Sequence, residues 1–249
     1  CDGFVGNIGP DYYPGVTDSI PLYETNDGGD NWTNLGLKDS ERISKILVDP
    51  TDTNTVYVCA TGKLWSDSDE RGVYKTSDGG KSWTIILKGA NLSTGCSMLS
   101  MDKANSKTIY AGMWDFRRKG WTFRSGGDND KAPSGSGMFK STDGGATWTE
   151  LTEQSAAGLP PKPWGRVAVS VAPSNSKVVY AVIEAVQPKD GLYRSDDGGA
   201  TWKALDRSQS ISAMSVAHSI ARQRGEVALH LAIPLHARDR TPPPTLHVA

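Results

Sequence analysis

The sequence has no apolar run long enough to cross a membrane, which argues against a membrane-spanning protein. Its 27 Lys and Arg residues nearly balance its 28 Asp and Glu residues, giving a net charge of −1. A general nucleic-acid partner is not expected, because phosphate binding depends on an excess of clustered cations. No signal peptide is recognised in the sequence.

Cysteine and histidine are also scarce, and neither residue type indicates a metal site. The three cysteines form no even disulfide framework, and Cys59 and Cys96 lie in strand-like runs that predict small, buried apolar side chains. The histidines all follow residue 206, without close ligand spacing and without a neighbouring cluster of cysteines or carboxylates. We therefore predict no metal and no cofactor.

The segment after residue 206 differs in composition from the rest of the chain. It contains arginine but no lysine and no aromatic residue, and none of the repeated motifs described below. We predict that residues 207–249 do not continue the repeats. The alternatives are an out-of-frame translation, a disordered tail, or a short helix over 210–224.

One short motif dominates the sequence: a hydroxyl residue, then Asp-Gly-Gly, then Trp at a fixed spacing, in four copies. Aspartate in a turn accepts hydrogen bonds from nearby backbone amides, and glycine adopts positive φ without steric cost, so each copy predicts a β-hairpin. The tryptophan is expected to pack in the core. The residues given this structural role are Asp27, Trp32, Asp78, Trp83, Asp143, Trp148, Asp197 and Trp202.

A second repeated segment completes the structural unit. Val48–Tyr57, Met101–Tyr110 and Val171–Tyr180 align without a gap, and each is typical of a strand end, a polar turn and a β-branched strand. The resulting four-stranded unit recurs every roughly 50–65 residues, a period typical of a β-propeller blade. We predict an all-β, partial β-propeller with about three to four blades. The predicted divisions are a propeller over 1–206 (partial blade 1–35, blades 36–88, 89–152 and 153–206) and a tail over 207–249.

These motifs resemble a known family. The four copies resemble the Asp-box, or bacterial neuraminidase repeat, of sialidases, xyloglucanases and sortilin-type propellers. The run Gly36–Ile43, followed by Val48-Asp49-Pro50, is similar to sortilin-like propellers of large secreted bacterial proteins, often described as glycosyl hydrolases. The resemblance implies a secreted or cell-envelope protein and further blades in a longer parent chain. It implies little about the reaction, because fold does not carry function.

Function is expected at the end of the blades opposite the boxes. The connections that vary in length are alternate turns of the meander, so they share one face. Aromatic and cationic side chains on this face could stack on a ligand and donate charge-assisted hydrogen bonds, or could instead pack the loops onto the blades. The long segment 116–131 could grip an acidic ligand or be a solvated insertion. The candidate ligand-binding residues are Trp65, Arg71, Trp114, Arg117, Arg118, Trp121, Arg124, Trp164 and Arg166.

Enzyme activity is weakly indicated. The Phe/Tyr-Arg-Ile-Pro motif of sialidases is absent. A glycosidase of the xyloglucanase type needs two carboxylates about 5–9.5 Å apart across a cleft. No residue is assigned as catalytic, and the weak candidates are Asp67, Asp69, Asp115 and Glu184.

The favoured interpretation is a non-catalytic, sortilin-like propeller segment that binds a peptide, protein or glycan through its variable loops. The alternative is a fragment of a xyloglucanase-like or sialidase-like glycoside hydrolase. A propeller that does not close leaves exposed strand edges, so self-association is expected.

Overall fold

The structure is a computed structural model that describes residues 3–5, 22–63, 65–119, 122–125, 134–186, 188–206, 217–221 and 227–231. The described residues form antiparallel β-structure with one short 3-10 helix, Lys38–Ser40. The strands in the first half are β1 (Gly3–Val5), β2 (Tyr23–Thr25), β3 (Thr33–Asn34), β4 (Ile43–Asp49), β5 (Asp52–Ala60), β6 (Gly72–Thr76), β7 (Thr84–Lys88), β8 (Thr94–Met101) and β9 (Ile109–Lys119). Those in the second half are β10 (Thr122–Ser125), β11 (Gly137–Ser141), β12 (Thr149–Leu151), β13 (Trp164–Val171), β14 (Val179–Ala185), β15 (Gly191–Ser195), β16 (Lys203–Asp206), β17 (Ala217–Ala221) and β18 (Val227–Leu231).

The strands form the blades that the repeats predict. Blade 1 is β1-β2-β3, blade 2 is β4-β5-β6-β7, blade 3 is β8-β9-β11-β12, and blade 4 is β13-β14-β15-β16. Every neighbouring pair within these blades is antiparallel. The prediction of an all-β fold built from four-stranded Asp-box units is confirmed.

The two kinds of repeated turn lie at the same end of each blade. The backbone N–H of the first box glycine donates to the turn between the first two strands: Gly79 to Asn54 O (3.0 Å), Gly144 to Lys107 O (2.9 Å) and Gly198 to Lys177 O (2.7 Å). The variable connections therefore lie at the opposite end, which we call the variable-loop end.

The hydrophobic core is made of layers between successive blades. One layer joins blades 2 and 3, and its largest members include Tyr57, Leu99 and Met113. The layer between blades 3 and 4 is centred on Trp164 and Tyr193, both 0% exposed. Because strand residues alternate between faces, each inner blade buries apolar side chains on both sides. Stacked blades thus stabilise one another.

A disulfide bond crosses the layer between blades 2 and 3. Cys59 on β5 and Cys96 on β8 have Cα atoms 5.1 Å apart and are both fully buried. The prediction of two separate apolar side chains is wrong in this respect. An odd number of cysteines did not indicate a disulfide in the sequence. The two residues meet because they lie on neighbouring strands of different blades.

The box tryptophans differ in burial. Trp202 is 4% exposed, Trp83 and Trp148 are half-buried, and Trp32 is 44% exposed. The expectation of a core side chain is wrong for Trp32. Each of the other three packs against the preceding blade, whereas Trp32 belongs to the first blade.

Two further segments differ from the sequence-based expectation. The insertion after β9 begins as a hairpin, because β9 runs on to Lys119 and pairs with β10. In the tail, 217–221 is strand β17, paired with β18, so the helix considered for 210–224 is wrong there. The predicted blade boundaries and the origin of the tail stay predictions.

Candidate functional site

The box hairpins are held by one repeated set of hydrogen bonds. In the third box, Oδ1 of Asp143 accepts from the Ser141 hydroxyl (2.8 Å) and the Thr147 N–H (2.9 Å), and Oδ2 accepts from the Thr147 hydroxyl (2.5 Å). The Ser141 hydroxyl in turn accepts from the Gly145 N–H at 2.8 Å. The same bonds recur in the other three boxes, except that the side-chain donor to Oδ2 in the first box is Nδ2 of Asn31.

These bonds favour the ionised carboxylate. Bonds from Thr147 and Ser141 lower the pKa of Asp143 to about 2, and bonds centred on Thr201 lower that of Asp197 to about 2. Bonds from Asn31 and Thr25 lower the pKa of Asp27 to about 2, and Ser82 and Thr76 lower that of Asp78. The box aspartates therefore act as turn anchors.

Two stacked aromatic rings, with a cation at each end, cross the variable-loop end from blade 2 to blade 4. We call Arg71, Phe116, Trp114 and Arg166 the cation–aromatic ladder. The Arg71 guanidinium lies 4.7 Å from the Phe116 ring centre, and that ring stacks on Trp114 with centroids 4.6 Å apart. The Arg166 guanidinium lies 4.9 Å from the Trp114 ring centre. Cation–π and stacking contacts thus join three blades.

The ladder ends at an arginine–glutamate pair on blade 4. Arg166 is half-buried on β13, and the exposed Glu184 on β14 accepts a hydrogen bond from the Arg166 backbone N–H at 2.9 Å. Burial lowers the pKa of Arg166, and the negative charge of Glu184 opposes that shift. The half-buried cation beside an exposed carboxylate offers a ligand both hydrogen-bond donors and acceptors.

Arg71 anchors the blade 2 loop. It is 1% exposed, and its guanidinium donates to the carbonyls of Thr61 (2.7 Å), Ser66 (3.1 Å) and Lys63. A Cβ on Gly62 would lie 2.4 Å from the Arg71 side chain. The proposal that Arg71 contacts a ligand is therefore corrected, because its donors already hold the loop.

Asp115 is a structural carboxylate. It is 1% exposed and accepts hydrogen bonds from Asn91 Nδ2 (2.9 Å), the Ser93 hydroxyl (2.7 Å) and the Gly135 N–H (3.0 Å). These donors come from the connection between β7 and β8 and from the segment just before β11. The prediction of Asp115 as a weak catalytic candidate is corrected, because its buried carboxylate oxygens accept structural hydrogen bonds.

The non-box tryptophans occupy different environments. Trp164 is 0% exposed and donates from Nε1 to Pro160 O at 3.1 Å, so its assignment to ligand contact is corrected. Trp114 is 9% exposed within the ladder, whereas Trp65 is 45% exposed on the connection after β5. The structure does not describe the side chains of the other ligand candidates, which are Arg117, Arg118, Trp121 and Arg124.

The remaining carboxylate candidates are exposed. Asp67 and Asp69 lie on the connection between β5 and β6, and Glu184 lies on β14, all at the variable-loop end. Sequence reasoning named three members of the ladder but missed the role of Phe116 as the ring that joins them. Its position two residues after Trp114 on one strand, and hence on the same face, was the available signal.

A hydrogen-bonded tyrosine–glutamate pair also lies at this end. The Tyr74 hydroxyl donates to Glu70 Oε2 at 2.7 Å and to Glu70 O at 3.0 Å. Burial and the bond to Glu70 raise the pKa of Tyr74. The equivalent Tyr193 donates to the carbonyl of Lys189, also four residues earlier. A tyrosine hydroxyl bonded to the residue four positions earlier thus recurs in blades 2 and 4, which favours a structural role.

No group of metal-ligating side chains occurs among the described residues. Within the same part of the chain, no helix is long and apolar enough to cross a membrane. We define the candidate site by the ladder, the Arg166–Glu184 pair and the exposed ring of Trp65.

Blade topology and box chemistry together define an Asp-box β-propeller protein. The model of the Sortilin-Vps10 family, described as "Sortilin, neurotensin receptor 3", matches residues 20–158, and that of the BNR/Asp-box repeat matches residues 193–204. The chain belongs to the Sortilin-Vps10 family. The recognition made from the boxes is confirmed.

Curated relatives of the chain are xyloglucanases. A xyloglucanase from Paenibacillus sp is 27% identical over 199 residues, covering 72% of this chain and 17% of the relative. An oligoxyloglucan-reducing end-specific xyloglucanase from Emericella nidulans is 23% identical over 243 residues, covering 82% and 30%. The chain thus spans less than a third of the length of these relatives.

Solved structures show the same fold. The GH74 xyloglucanase from Xanthomonas campestris matches with a TM-score of 0.56 and 20% identity, over 76% of this chain and 27% of that one. The Niastella koreensis GH74 enzyme matches with a TM-score of 0.52 and 21% identity, over 75% and 26%. Propellers of glycoside hydrolases therefore share this blade arrangement.

Proposed function

We propose that this chain is a segment of a secreted propeller protein that binds a xyloglucan-type polysaccharide at its variable-loop end. The observation that carries the proposal is the cation–aromatic ladder ending at the half-buried Arg166 beside the exposed Glu184. The names of the relatives supply the class of polysaccharide. The sequence predicted a peptide, protein or glycan ligand, and the xyloglucanases among the relatives favour the glycan.

The exposed side chains at the variable-loop end suit a neutral sugar chain. A sugar ring presents a face of C–H groups that stacks on an aromatic ring, and hydroxyls around its edge that donate and accept hydrogen bonds. Trp65 supplies an exposed ring, while Arg166 and Glu184 supply donors and acceptors. Trp114 holds the arginine in place, which lowers the entropic cost of binding.

The proposal assigns binding, not bond cleavage, to this segment. Glycoside hydrolysis needs a general acid and a second carboxylate about 5–9.5 Å apart. The Asp115 carboxylate already accepts structural hydrogen bonds. The chain also spans only a fraction of the length of the enzymes that it resembles. In a longer protein, this segment would supply one wall of a glycan cleft.

Hydrolysis by the whole protein is the second candidate function. It is favoured by the exposed carboxylates Asp67, Asp69 and Glu184, which share the variable-loop end with the ladder. Release of reducing sugar from xyloglucan would support it. Activity unchanged after Asp67→Asn, Asp69→Asn and Glu184→Gln, made singly and together, would remove these residues as catalysts.

Secretion or a place in the cell envelope is supported by the buried disulfide. Disulfides persist in oxidising compartments and are rare in the cytosol. Alkylation of the denatured protein without reductant, followed by mass spectrometry, should leave Cys59 and Cys96 unlabelled. Labelling of both residues in protein prepared from its native compartment would contradict this localisation.

Binding is tested by affinity electrophoresis in gels that contain xyloglucan. The wild-type chain should be retarded, and Arg166→Ala or Trp65→Ala should weaken binding about tenfold, the loss expected for one charge-assisted hydrogen bond or one stacked ring. Lys107→Ala removes an exposed cation at the opposite end and is the matched control. Equal retardation of wild type and both site variants would contradict the proposal.

A further inference from the structure

The exposed ring of Trp65 is carried by an irregular loop. Trp65 lies between β5 and β6, and residues 61–63 and 65–71 of this connection lie outside the strands. Connections of this kind are more mobile than strands unless other contacts hold their backbone. A glycan contact at Trp65 therefore depends on whatever fixes this loop.

Arg71 holds the loop on both sides of Trp65. Its Nη2 donates to the carbonyl of Lys63, two residues before Trp65, and to that of Ser66, one residue after it, at 3.1 Å. Its Nη1 donates to Thr61 O at 2.7 Å. Three carbonyls of one loop thus converge on a single side chain that is 1% exposed.

The Arg71 side chain is itself held by its own loop and by blade 3. Its aliphatic part packs against Gly62, where an added Cβ would lie 2.4 Å from Arg71 Cγ. Gly62 also has a φ of 84°, a conformation that other residues rarely adopt. The guanidinium lies 4.7 Å from the centre of the Phe116 ring, which is 0% exposed in blade 3. The loop of blade 2 is therefore joined to a buried ring of blade 3.

A backbone hydrogen bond joins the same loop to blade 3 at a second point. The Ser68 N–H donates to Leu92 O at 3.0 Å, and Leu92 lies on the connection that leads into β8. That connection is anchored in turn, because Asp115 on β9 accepts from Asn91 Nδ2 at 2.9 Å. Trp65 thus belongs to blade 2 in sequence, while its loop is fixed to blade 3.

Blade 3 therefore spaces the two ends of the proposed glycan site. The Phe116 ring contacts the Arg71 guanidinium and stacks on Trp114. Trp114 in turn lies 4.9 Å from the Arg166 guanidinium. The loop of Trp65 lies at one end of this series of contacts and Arg166 at the other. A ligand that touches both ends binds more tightly when their spacing is fixed beforehand, because less conformational entropy is lost on binding.

We propose that Arg71 is a positioning residue for glycan binding, which acts through Trp65 and does not touch the ligand. The inference rests on the proposed function and adds how the exposed ring of that site is held. Lysine keeps the charge but lacks the planar fork with which a guanidinium donates to several carbonyls. Arg71→Lys should therefore loosen the loop and weaken binding, although the charge is unchanged.

A double-mutant cycle separates positioning from a general loss of stability. Isothermal titration calorimetry with a xyloglucan-derived oligosaccharide compares wild type, Arg71→Lys, Trp65→Ala, Arg166→Ala and the paired variants. Arg71→Lys should weaken binding by up to about tenfold, and by no more than removal of the ring itself. Added to Trp65→Ala it should weaken binding no further, whereas added to Arg166→Ala it should weaken binding by its full factor.

The order of the loop is measured without ligand. In wild type, the ¹H–¹⁵N nuclear Overhauser effect of the Trp65 and Ser66 backbone amides should be as high as in β5. Arg71→Lys should lower it at both amides and leave the β5 values unchanged. Arg194→Lys, the same substitution beside the fourth box, is the control and should change neither the loop nor the affinity.

Three outcomes would overturn this positioning role or the function on which it rests. Trp65 and Ser66 amides that are mobile in wild type would overturn the role, and this result needs no variant to fold. Equal further losses when Arg71→Lys is added to Trp65→Ala and to Arg166→Ala would do the same. A wild-type chain that binds no oligosaccharide would contradict the proposed function, while loop amides unaffected by Arg71→Lys contradict the positioning role whether or not the glycan binds.

Discussion

At the residue scale, four hydroxyl–aspartate pairs stabilise the box turns. Each box carboxylate accepts from both a backbone N–H and a side chain, and the glycines that follow adopt positive φ, such as Gly144 (φ 73°) and Gly145 (φ 88°). Because these bonds are local in sequence, the composition of the motif was enough to predict them.

The lowered pKa values of the box aspartates predict the acid sensitivity of the fold. A carboxyl group whose folded-state pKa lies below its unfolded value stabilises the protein above the unfolded pKa, and that stabilisation is lost as pH falls through the folded pKa. For Asp143 the window runs from the ordinary aspartate pKa of 3.8 down to about 2. We expect the free energy of unfolding to fall across this window.

Asp143→Asn should make that fall shallower, because the amide does not titrate, while lowering stability at neutral pH. Denaturant unfolding measured between pH 2 and pH 7 checks both effects. Asp30→Asn, at an exposed side chain within the first box that is not the repeated box aspartate Asp27, is the control and should keep the wild-type slope. An identical slope in Asp143→Asn and wild type would contradict the assignment.

At the element scale, the blades are joined by contacts far apart in sequence. The Tyr57 hydroxyl reaches Gly144 across 87 positions, and the Cys59–Cys96 bond closes a separation of 37 residues. Periodicity and turn chemistry predicted the strands, because both signals are local. They did not predict the disulfide, the burial of Arg71 and Asp115, or the exposure of Trp32, because those depend on which blades are neighbours.

The disulfide should stabilise the pairing of blades 2 and 3. Removing a bond that closes a loop of this length typically costs about 2–4 kcal/mol. Urea unfolding of the oxidised and reduced protein should show this difference. The double variant Cys59→Ala with Cys96→Ala is the control, since its midpoint should not respond to reductant. A wild-type midpoint that does not move on reduction would contradict the prediction.

At the scale of the whole molecule, the two ends of the blades carry different sets of side chains. The box end is occupied by repeated structural bonds, whereas the variable-loop end carries the ladder, Trp65 and the exposed carboxylates. The sequence predicted this division from loop lengths and named Trp114, Arg166 and Glu184. It could not distinguish exposed aromatic side chains from buried ones such as Trp164, because the burial of a side chain depends on which blade lies next to it.

The most direct test of glycan binding at the variable-loop end uses the indole N–H signals of the tryptophans in a ¹H–¹⁵N spectrum. Titration with a xyloglucan-derived oligosaccharide should shift the signals of Trp65 and Trp114 and leave those of Trp32, Trp83 and Trp202 in place. The Arg166→Ala variant should show weaker shifts at the same concentrations. Shifts confined to the box tryptophans, or none at saturating oligosaccharide, would contradict the account.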